Sequence, residues 1–152
     1  MKPAFVNHFG EAKGFTLIEI LVSISIIVLI SGASLAAFIN YLERSQAQSD
    51  ALAVANRLRT VQIKAIAVEV PTGCTSVSSY AVSMVNSNLT VAAVCPGVGS
   101  VALTDLTLTL GNSSFSSSTT VTFSSRSISA SPATIWVCGN NHLFEVTVNE
   151  GA

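Results

Sequence analysis

The feature that most constrains this chain is an apolar run from Phe15 to Ile39 that contains a single charged residue, Glu19. As a helix at 1.5 Å per residue, the 25 residues of this run reach about 37 Å, which is enough to cross a bilayer. A lone carboxylate among lipid tails costs about 2.5 to 3.5 kcal/mol on insertion scales, so we expect it to have a partner. The pattern predicts a membrane helix whose one acid makes a specific contact.

The partner expected for Glu19 is a cation at the same depth in the membrane. No Lys or Arg lies between Gly14 and Arg44, but cleavage after Gly14 would create a cation, the α-amino group of Phe15. Within one helix this amine lies one turn before Glu19 and points along the axis. The two groups of one helix are therefore poorly placed to pair, and a better ion pair forms between neighbouring copies. Pairing between copies predicts a polymer.

A family resemblance is carried by the motif Lys13-Gly14-Phe15-Thr16-Leu17-Ile18-Glu19, which stands directly before the apolar run. This motif resembles the N-terminal signature of the type IV pilin and type II secretion pseudopilin superfamily, and the resemblance covers residues 13–39. It implies that prepilin peptidase cleaves between Gly14 and Phe15 and N-methylates Phe15, which keeps the positive charge of the amine. It also implies that Glu19 directs docking onto other pilin or pseudopilin subunits. An inner-membrane assembly platform and its ATPase would then extract the helix into a filament.

Two other interpretations compete for the same segment. Residues 1–37 could be a secretory signal peptide, because Lys2 and Lys13 precede an apolar stretch and Ser34-Leu35-Ala36 loosely fits a cleavage site. The apolar run is too long for a typical signal peptide, however, and it carries an acid near its start. The segment could also be an ordinary membrane anchor, but that interpretation leaves Glu19 unexplained.

The pattern beyond the apolar run predicts an α+β fold, with one long helix packed on a C-terminal antiparallel sheet. We divide the chain into a leader (residues 1–14), a transmembrane and filament-core helix (15–39), an amphipathic helix (40–70) and a β-rich head (71–152). The amphipathic helix has apolar residues at intervals of three and four, and it ends near Val68, before Pro71. The head shows period-two alternation, which predicts one sheet of five to seven strands. The predicted strands are Tyr80–Val85, Leu89–Val94, Asp105–Leu110, Thr120–Phe123, Thr134–Cys138 and Phe144–Val148, with a hairpin turn at Gly139-Asn140-Asn141.

The distribution of charge predicts orientation and partners. With Lys2 and Lys13 before the apolar run, the positive-inside rule places the N-terminus in the cytoplasm and the head outside, on a single-pass protein of the inner membrane. From Pro71 onward Arg126 is the only basic residue. The head therefore lacks the basic surface that binds phosphate backbones, which makes nucleic acid an unlikely partner and disfavours a role in DNA uptake.

The three cysteines, Cys74, Cys95 and Cys138, lie in a part of the chain where disulfides are permitted. Three pairings are possible, and the sequence does not decide between them. We favour Cys74 with Cys95, because they flank a predicted hairpin, and we predict that Cys138 is a small buried core residue. No metal site is predicted, because His8 and His142 belong to no cysteine-histidine cluster.

No catalytic constellation or cofactor motif is evident, so an enzyme is not expected. The serine-rich stretch from Ser113 to Thr119 is predicted to be a flexible exposed loop. The function expected is that of a structural subunit of a type IV pilus or a type II secretion pseudopilus. The alternative is a minor pilin that acts as a binding module at the tip or surface, in adhesion or DNA uptake.

Overall fold

The computed structural model describes residues 14–151, so the predicted leader, apart from Gly14, lies outside the described residues. One α-helix is followed by antiparallel strands, and the α+β arrangement predicted from the sequence is confirmed. The chain divides into two compact units, one ending at Ile39 and the other beginning at Asn40. The elements are α1 (Leu17–Ala67), β1 (Ser79–Val85), β2 (Asn88–Cys95), β3 (Gly99–Ala102), β4 (Leu108–Thr109), β5 (Ser114–Phe115), β6 (Thr119–Ser124), β7 (Ala133–Cys138) and β8 (Leu143–Val148).

Helix α1 contains 51 residues and no proline, and it carries Glu19 in its first turn and Lys64 in its last. An acid at the start and a base at the end both suit the helix dipole. By length and composition this is a helix that could cross a membrane, and the large apolar side chains of its first half are exposed. In the second half a stripe at intervals of three and four is buried, formed by Ala47, Ala51, Val54, Leu58, Val61 and Ala65. The three alanines among them allow close approach of the sheets.

The first sheet has the strand order β3-β2-β1-β6, and β4 also pairs with β2. Along β1 and β2 buried residues alternate with more exposed ones, as expected for strands with one face on a core. Tyr80, Met84 and Leu89 are the largest fully buried side chains of the described residues. They pack in one core with the helix stripe and with inward residues of the second sheet, including Phe115, Ile135 and Val137.

The prediction of a continuous strand from Asp105 to Leu110 is wrong. The structure has a 3₁₀ turn at Thr104–Leu106 and only the short strand β4 after it. β3 pairs with one half of β2 and β4 with the other half, so both belong to one interrupted edge strand. The turn buries Leu106. Core packing of this side chain therefore overrides the alternating pattern that predicted a strand.

The second sheet has the order β5-β7-β8, so the prediction of a single sheet is also wrong. β7 and β8 form the predicted hairpin, which is closed by a hydrogen bond from the Gly139 amide to the His142 carbonyl at 2.8 Å. Within β7 the alternation buries Ile135 and Val137 and turns Trp136 outward. Cys138 follows the outward set and is half-buried, which corrects its assignment to the core.

The serine-rich stretch from Ser113 to Thr119 is not an exposed loop throughout. Residues Ser114 and Phe115 form β5, which pairs with β7, and both Ser113 and Phe115 are buried. Phe115 supplies the apolar area that the surrounding serines lack, so it anchors this stretch to the core.

Helix α1 ends in a hydrogen-bonded cap. The Glu69 amide donates to the Lys64 carbonyl at 3.2 Å and the Val68 amide to the Ala65 carbonyl at 3.3 Å, which is the Schellman pattern. Val68 takes the left-handed φ of 52° that this pattern requires. The Lys64 ammonium forms a 2.7 Å ion pair with Glu69, and the Tyr80 hydroxyl donates to the Glu69 carbonyl. These contacts fix the path of the chain from the helix into the head.

Candidate processing and assembly site

The predicted site lies at the start of α1, where Thr16 is the N-cap residue. The Thr16 side-chain oxygen accepts a hydrogen bond from the Glu19 amide at 3.3 Å, and the Thr16 carbonyl accepts from the amides of Glu19 and Ile20. A threonine at the cap with a glutamate three residues later is the sequence pattern of a capping box. The sequence analysis did not assign a role to Thr16, although its spacing from Glu19 was a signal for this cap.

Gly14, Phe15 and Thr16 precede the helix and have no regular secondary structure. The Phe15 side chain is 76% exposed. A peptide bond outside the helix is free of the helical hydrogen bonds that would hinder entry into a protease site, so the bond between Gly14 and Phe15 is sterically available. A Cβ atom added at Gly14 would meet nothing within 4 Å. The fold of the described residues therefore does not itself require glycine at this position.

Glu19 is exposed on α1 and makes no salt bridge with any residue in the range 14–151. Its backbone amide is used by the cap, but its carboxylate is not. It lies four positions after Phe15, and four residues of helical rise correspond to about 6 Å. The structure thus leaves an exposed acid, unpaired within residues 14–151, four positions after the exposed Phe15.

The other polar side chains recorded with hydrogen bonds in the apolar half of α1 are serines that bond within the helix. The hydroxyl of Ser23 donates to the Glu19 carbonyl at 2.7 Å, that of Ser25 to Leu21 at 2.8 Å, and that of Ser34 to Ile30 at 2.9 Å. Such bonds satisfy the donor without a second chain, so these hydroxyls are tolerated in an apolar surrounding. Glu19 differs from them because its carboxylate remains available.

The structure joins Cys74 to Cys95 by a disulfide, with their Cα atoms 5.7 Å apart. Cys95 is buried at the end of β2, and Cys74 lies in the loop that leads from α1 to β1. We propose this pairing, which the sequence analysis also favours. Among residues 14–151 no group of three or more His, Cys, Asp or Glu side chains could hold a metal ion.

A family model for the prokaryotic N-terminal methylation motif matches residues 11–35. This motif is the prepilin-type signature of type IV pilins and pseudopilins, so the resemblance stated from the residues is confirmed. The match includes Gly14, Phe15, Thr16 and Glu19 and ends before the amphipathic part of the helix. Comparison with curated proteins and with solved structures gives no significant match.

Proposed function

We propose, from the prepilin-type signature at residues 11–35, that this chain is the precursor of a structural subunit of a type IV pilus or a type II secretion pseudopilus. The observation that carries the proposal is the carboxylate of Glu19, which forms no salt bridge within residues 14–151 and lies on an exposed apolar helix shortly after a peptide bond outside the helix. Cleavage of that bond supplies the cation that Glu19 lacks. Neither group has a use in an isolated membrane anchor.

The processing step in this proposal is cleavage after Gly14 by prepilin peptidase, followed by N-methylation of Phe15. The fold does not require glycine at position 14, so we assign the requirement to the peptidase, whose pocket accepts a residue without a side chain. The methylated amine keeps its charge at neutral pH. Thr16 holds the first helical turn in place, so the new terminus is presented at the end of a capped helix.

The assembly step is docking of the apolar segment (residues 15–39) against the same segment of other subunits. The subunits wait in the inner membrane, with the head outside, until a platform protein and its ATPase extract them. Glu19 of one copy then pairs with the Phe15 amine of another copy. At an effective dielectric near 20 such a pair gains up to about 4 kcal/mol of Coulomb energy, less the desolvation of both groups.

The first test is the identity of the mature N-terminus. We expect mass spectrometry of the processed chain to find a methylated Phe15 at the N-terminus, and we expect Gly14→Leu to leave the precursor uncleaved in the membrane. Thr16→Ser, which keeps a cap hydroxyl, serves as the matched control and should be processed normally. A mature chain that begins at Phe38, or an intact Met1 in the assembled form, would refute the proposal.

A further inference from the structure

A polar pocket of about 350 Å³ lies beside the second half of α1, against the ends of two loops. It is lined by Glu43, Gln46, Asn112, Ser113, Gly139 and Asn140. Two hydrogen bonds hold its walls, from Asn140 Nδ2 to Glu43 Oε1 at 3.1 Å and from Asn112 Nδ2 to Gln46 Oε1 at 2.9 Å. The pocket is therefore built from fixed side chains on separate elements.

The pocket carries one net negative charge, from Glu43, and it contains several unused acceptor atoms beside the unused amide donors of Gln46. Both asparagines use their amide nitrogens in the wall, and within residues 14–151 their Oδ1 atoms have no recorded donor. The second carboxylate oxygen of Glu43 is also unused, and this residue forms no salt bridge in the described part of the chain. Ser113 is 4% exposed, and its hydroxyl has no hydrogen-bond partner in the structure. None of the described residues that line the pocket is basic.

A planar cation with several donors matches these acceptors, and guanidinium is the side chain that supplies five N–H groups in a fixed fork. The head offers one such group, Arg126, which is exposed and forms no salt bridge with residues 14–151. Arg44, although adjacent to Glu43 in sequence, does not line the pocket, since neighbouring residues of a helix point in different directions.

The backbone at Arg126 also favours a contact role. Its φ is 62°, the left-handed conformation in which glycine or asparagine is the usual choice. The conformation is held because the Arg126 amide donates to the Ala65 carbonyl at 3.1 Å, and any residue except proline could supply that amide. The fold uses the backbone hydrogen bond at this position, but the Arg126 guanidinium forms no salt bridge within residues 14–151.

The pocket and Arg126 lie at opposite ends of the amphipathic helix. Arg126 bonds to Ala65, whereas the pocket contains Glu43, and 22 residues of helix correspond to about 33 Å. One copy cannot bring the two together, but parallel copies displaced along their helix axes can.

We propose that Arg126 of one subunit inserts into the Glu43 pocket of another copy of the same chain in the filament. This inference rests on the proposed function, because it needs parallel subunits. The Glu19 contact requires a displacement of only about 6 Å, since Glu19 lies four positions after Phe15. The Arg126 contact thus joins copies that lie several steps further along the filament. Such a head-to-tail contact is heterologous and repeats without closing.

Chemical crosslinking of filaments tests this proximity while both charges are kept. In a full-length Cys138→Ser background, we would place Asn141→Cys beside the pocket and Ser127→Cys beside Arg126, and treat sheared filaments with a short bis-maleimide. The expected product is a ladder of multimers. The matched control, Asn141→Cys with Thr90→Cys on the outer face of the first sheet, should give none. Filaments that contain the first variant but give no ladder beyond that of the control would overturn the inference.

Substitution at Arg126 distinguishes a contact between subunits from a role in the stability of the fold. Arg126→Gly removes the guanidinium, keeps the amide bond to Ala65 and relieves the left-handed φ. We expect the melting temperature of the purified full-length chain to rise while incorporation into filaments falls about tenfold. The double variant Glu43→Gln/Arg126→Gly should lose no more than the single variant, because both changes break one contact.

These experiments separate a failure of the pocket contact from a failure of the proposed function. If the wild-type chain is not cleaved at Phe15 or enters no filament, the proposed function itself is wrong. If the wild-type chain enters filaments and Arg126→Gly does so equally well, only the pocket assignment is overturned, whether the pocket binds a free cation or another protein instead. Additive losses in the Glu43 and Arg126 double variant would overturn it as well.

Discussion

The backbone amide and the carboxylate of Glu19 are engaged differently in the structure. Its backbone amide completes the helix cap with Thr16, whereas its carboxylate makes no salt bridge within residues 14–151. Because every amino acid except proline carries the amide, the cap does not depend on the acid. This separation allows the carboxylate to be removed without disturbing the start of the helix.

We therefore expect Glu19→Val to insert into the membrane as well as the wild type or better, since an acid in lipid costs about 2.5 to 3.5 kcal/mol. The same variant should lose incorporation into filaments, because the Phe15 amine of the neighbouring copy loses its counter-ion. Membrane fractions and sheared-filament fractions measure the two effects. Ser23→Val is the control, because it removes a polar group one turn away whose hydroxyl bonds only within the helix. Equal incorporation of the two variants would contradict the docking role of Glu19.

At the scale of single residues, the sequence predicted those positions whose chemistry conflicts with their surroundings. Glu19 is conspicuous because it is an acid in an apolar run, and Gly14 and Phe15 follow from the need for a cation. Thr16 was missed because a threonine before a helix fits its surroundings and raises no conflict. Cys138 was misplaced because the run from Ile135 to Cys138 is apolar throughout, and only the register of the sheet decides which residues face the core.

At the scale of elements, the β7–β8 turn lies close against α1 at Gly139. A Cβ atom built on Gly139 would lie 2.6 Å from the Cβ of Ala47, which belongs to the rigid helix. This separation is shorter than any normal carbon contact, so a side chain here must push the β7–β8 turn away from α1. The same turn supplies Asn140 to the pocket that contains Glu43.

Gly139→Ala should accordingly lower the free energy of unfolding by about 1 to 3 kcal/mol, the usual cost of overpacking. Chemical unfolding of the full-length chain in detergent measures this change. Gly111→Ala is the matched control, because the added methyl group meets nothing within 4 Å. Adding Ala47→Gly should recover part of the loss, less about 1 kcal/mol for glycine in a helix. A loss that is equal at Gly111 and Gly139 would rule out the close contact as its cause.

The cap at the end of α1 is expected to make the stability of the fold decrease at alkaline pH. Burial, and then the negative charge of Glu69, raise the pKa of Tyr80 above its usual 10.0. The hydrogen bond to Glu69 raises the pKa of Lys64 above 10.5. Both groups hold their protons more tightly in the folded state than in the unfolded state. Their contribution to the free energy of unfolding is therefore complete below the pKa values of the unfolded chain, and it is lost as the pH rises through the pKa values of the folded chain.

The expected result is a stability that begins to fall near pH 10 and declines further as the pH rises. Unfolding of the full-length chain in detergent between pH 8 and pH 11.5, roughly the range of the two titrations, measures it. Tyr80→Phe should reduce the alkaline slope and cost about 1 kcal/mol at neutral pH through the lost hydrogen bond. Tyr41→Phe, at an exposed tyrosine, should leave the slope unchanged. An unaltered slope in Tyr80→Phe would show that Tyr80 does not cause the alkaline decrease.

Elements were predicted well wherever one periodicity persisted over a whole segment. The helix ends at Ala67, one residue from the predicted end, and β8, whose sequence alternates, pairs with β7 in the predicted hairpin. The segment from Asp105 to Leu110 alternates equally well, but its neighbour β2 is already paired with β3 along half its length. Competition for one edge, like the burial of Leu106, is decided by distant residues and is not visible in a local pattern.

At the scale of the whole molecule, the division of the strands into two sheets was not predictable from local periodicity. In the described part of the chain β7 pairs with β8 and with the two-residue strand β5, and with no strand of the first sheet. Both sheets nevertheless share one core with the second half of α1, and this core lies within the unit that begins at Asn40. A fragment that starts near Tyr41 therefore retains every buried side chain of that core.

We predict that the fragment from Tyr41 to Ala152 folds as a monomer with one disulfide, between Cys74 and Cys95. The bridge closes a loop with a sequence separation of 21 and should contribute about 3 kcal/mol, so Cys74→Ser and Cys95→Ser should lower the melting temperature equally, by roughly 10 °C or more. Cys138→Ser is the control and should change it little, because Cys138 is half-buried and unpaired in the structure. Peptide mapping under non-reducing conditions identifies the pairing directly. A bridge from Cys138 to either other cysteine would require β7 to shift from its present register, and unequal effects of the two loop substitutions would contradict a shared bond.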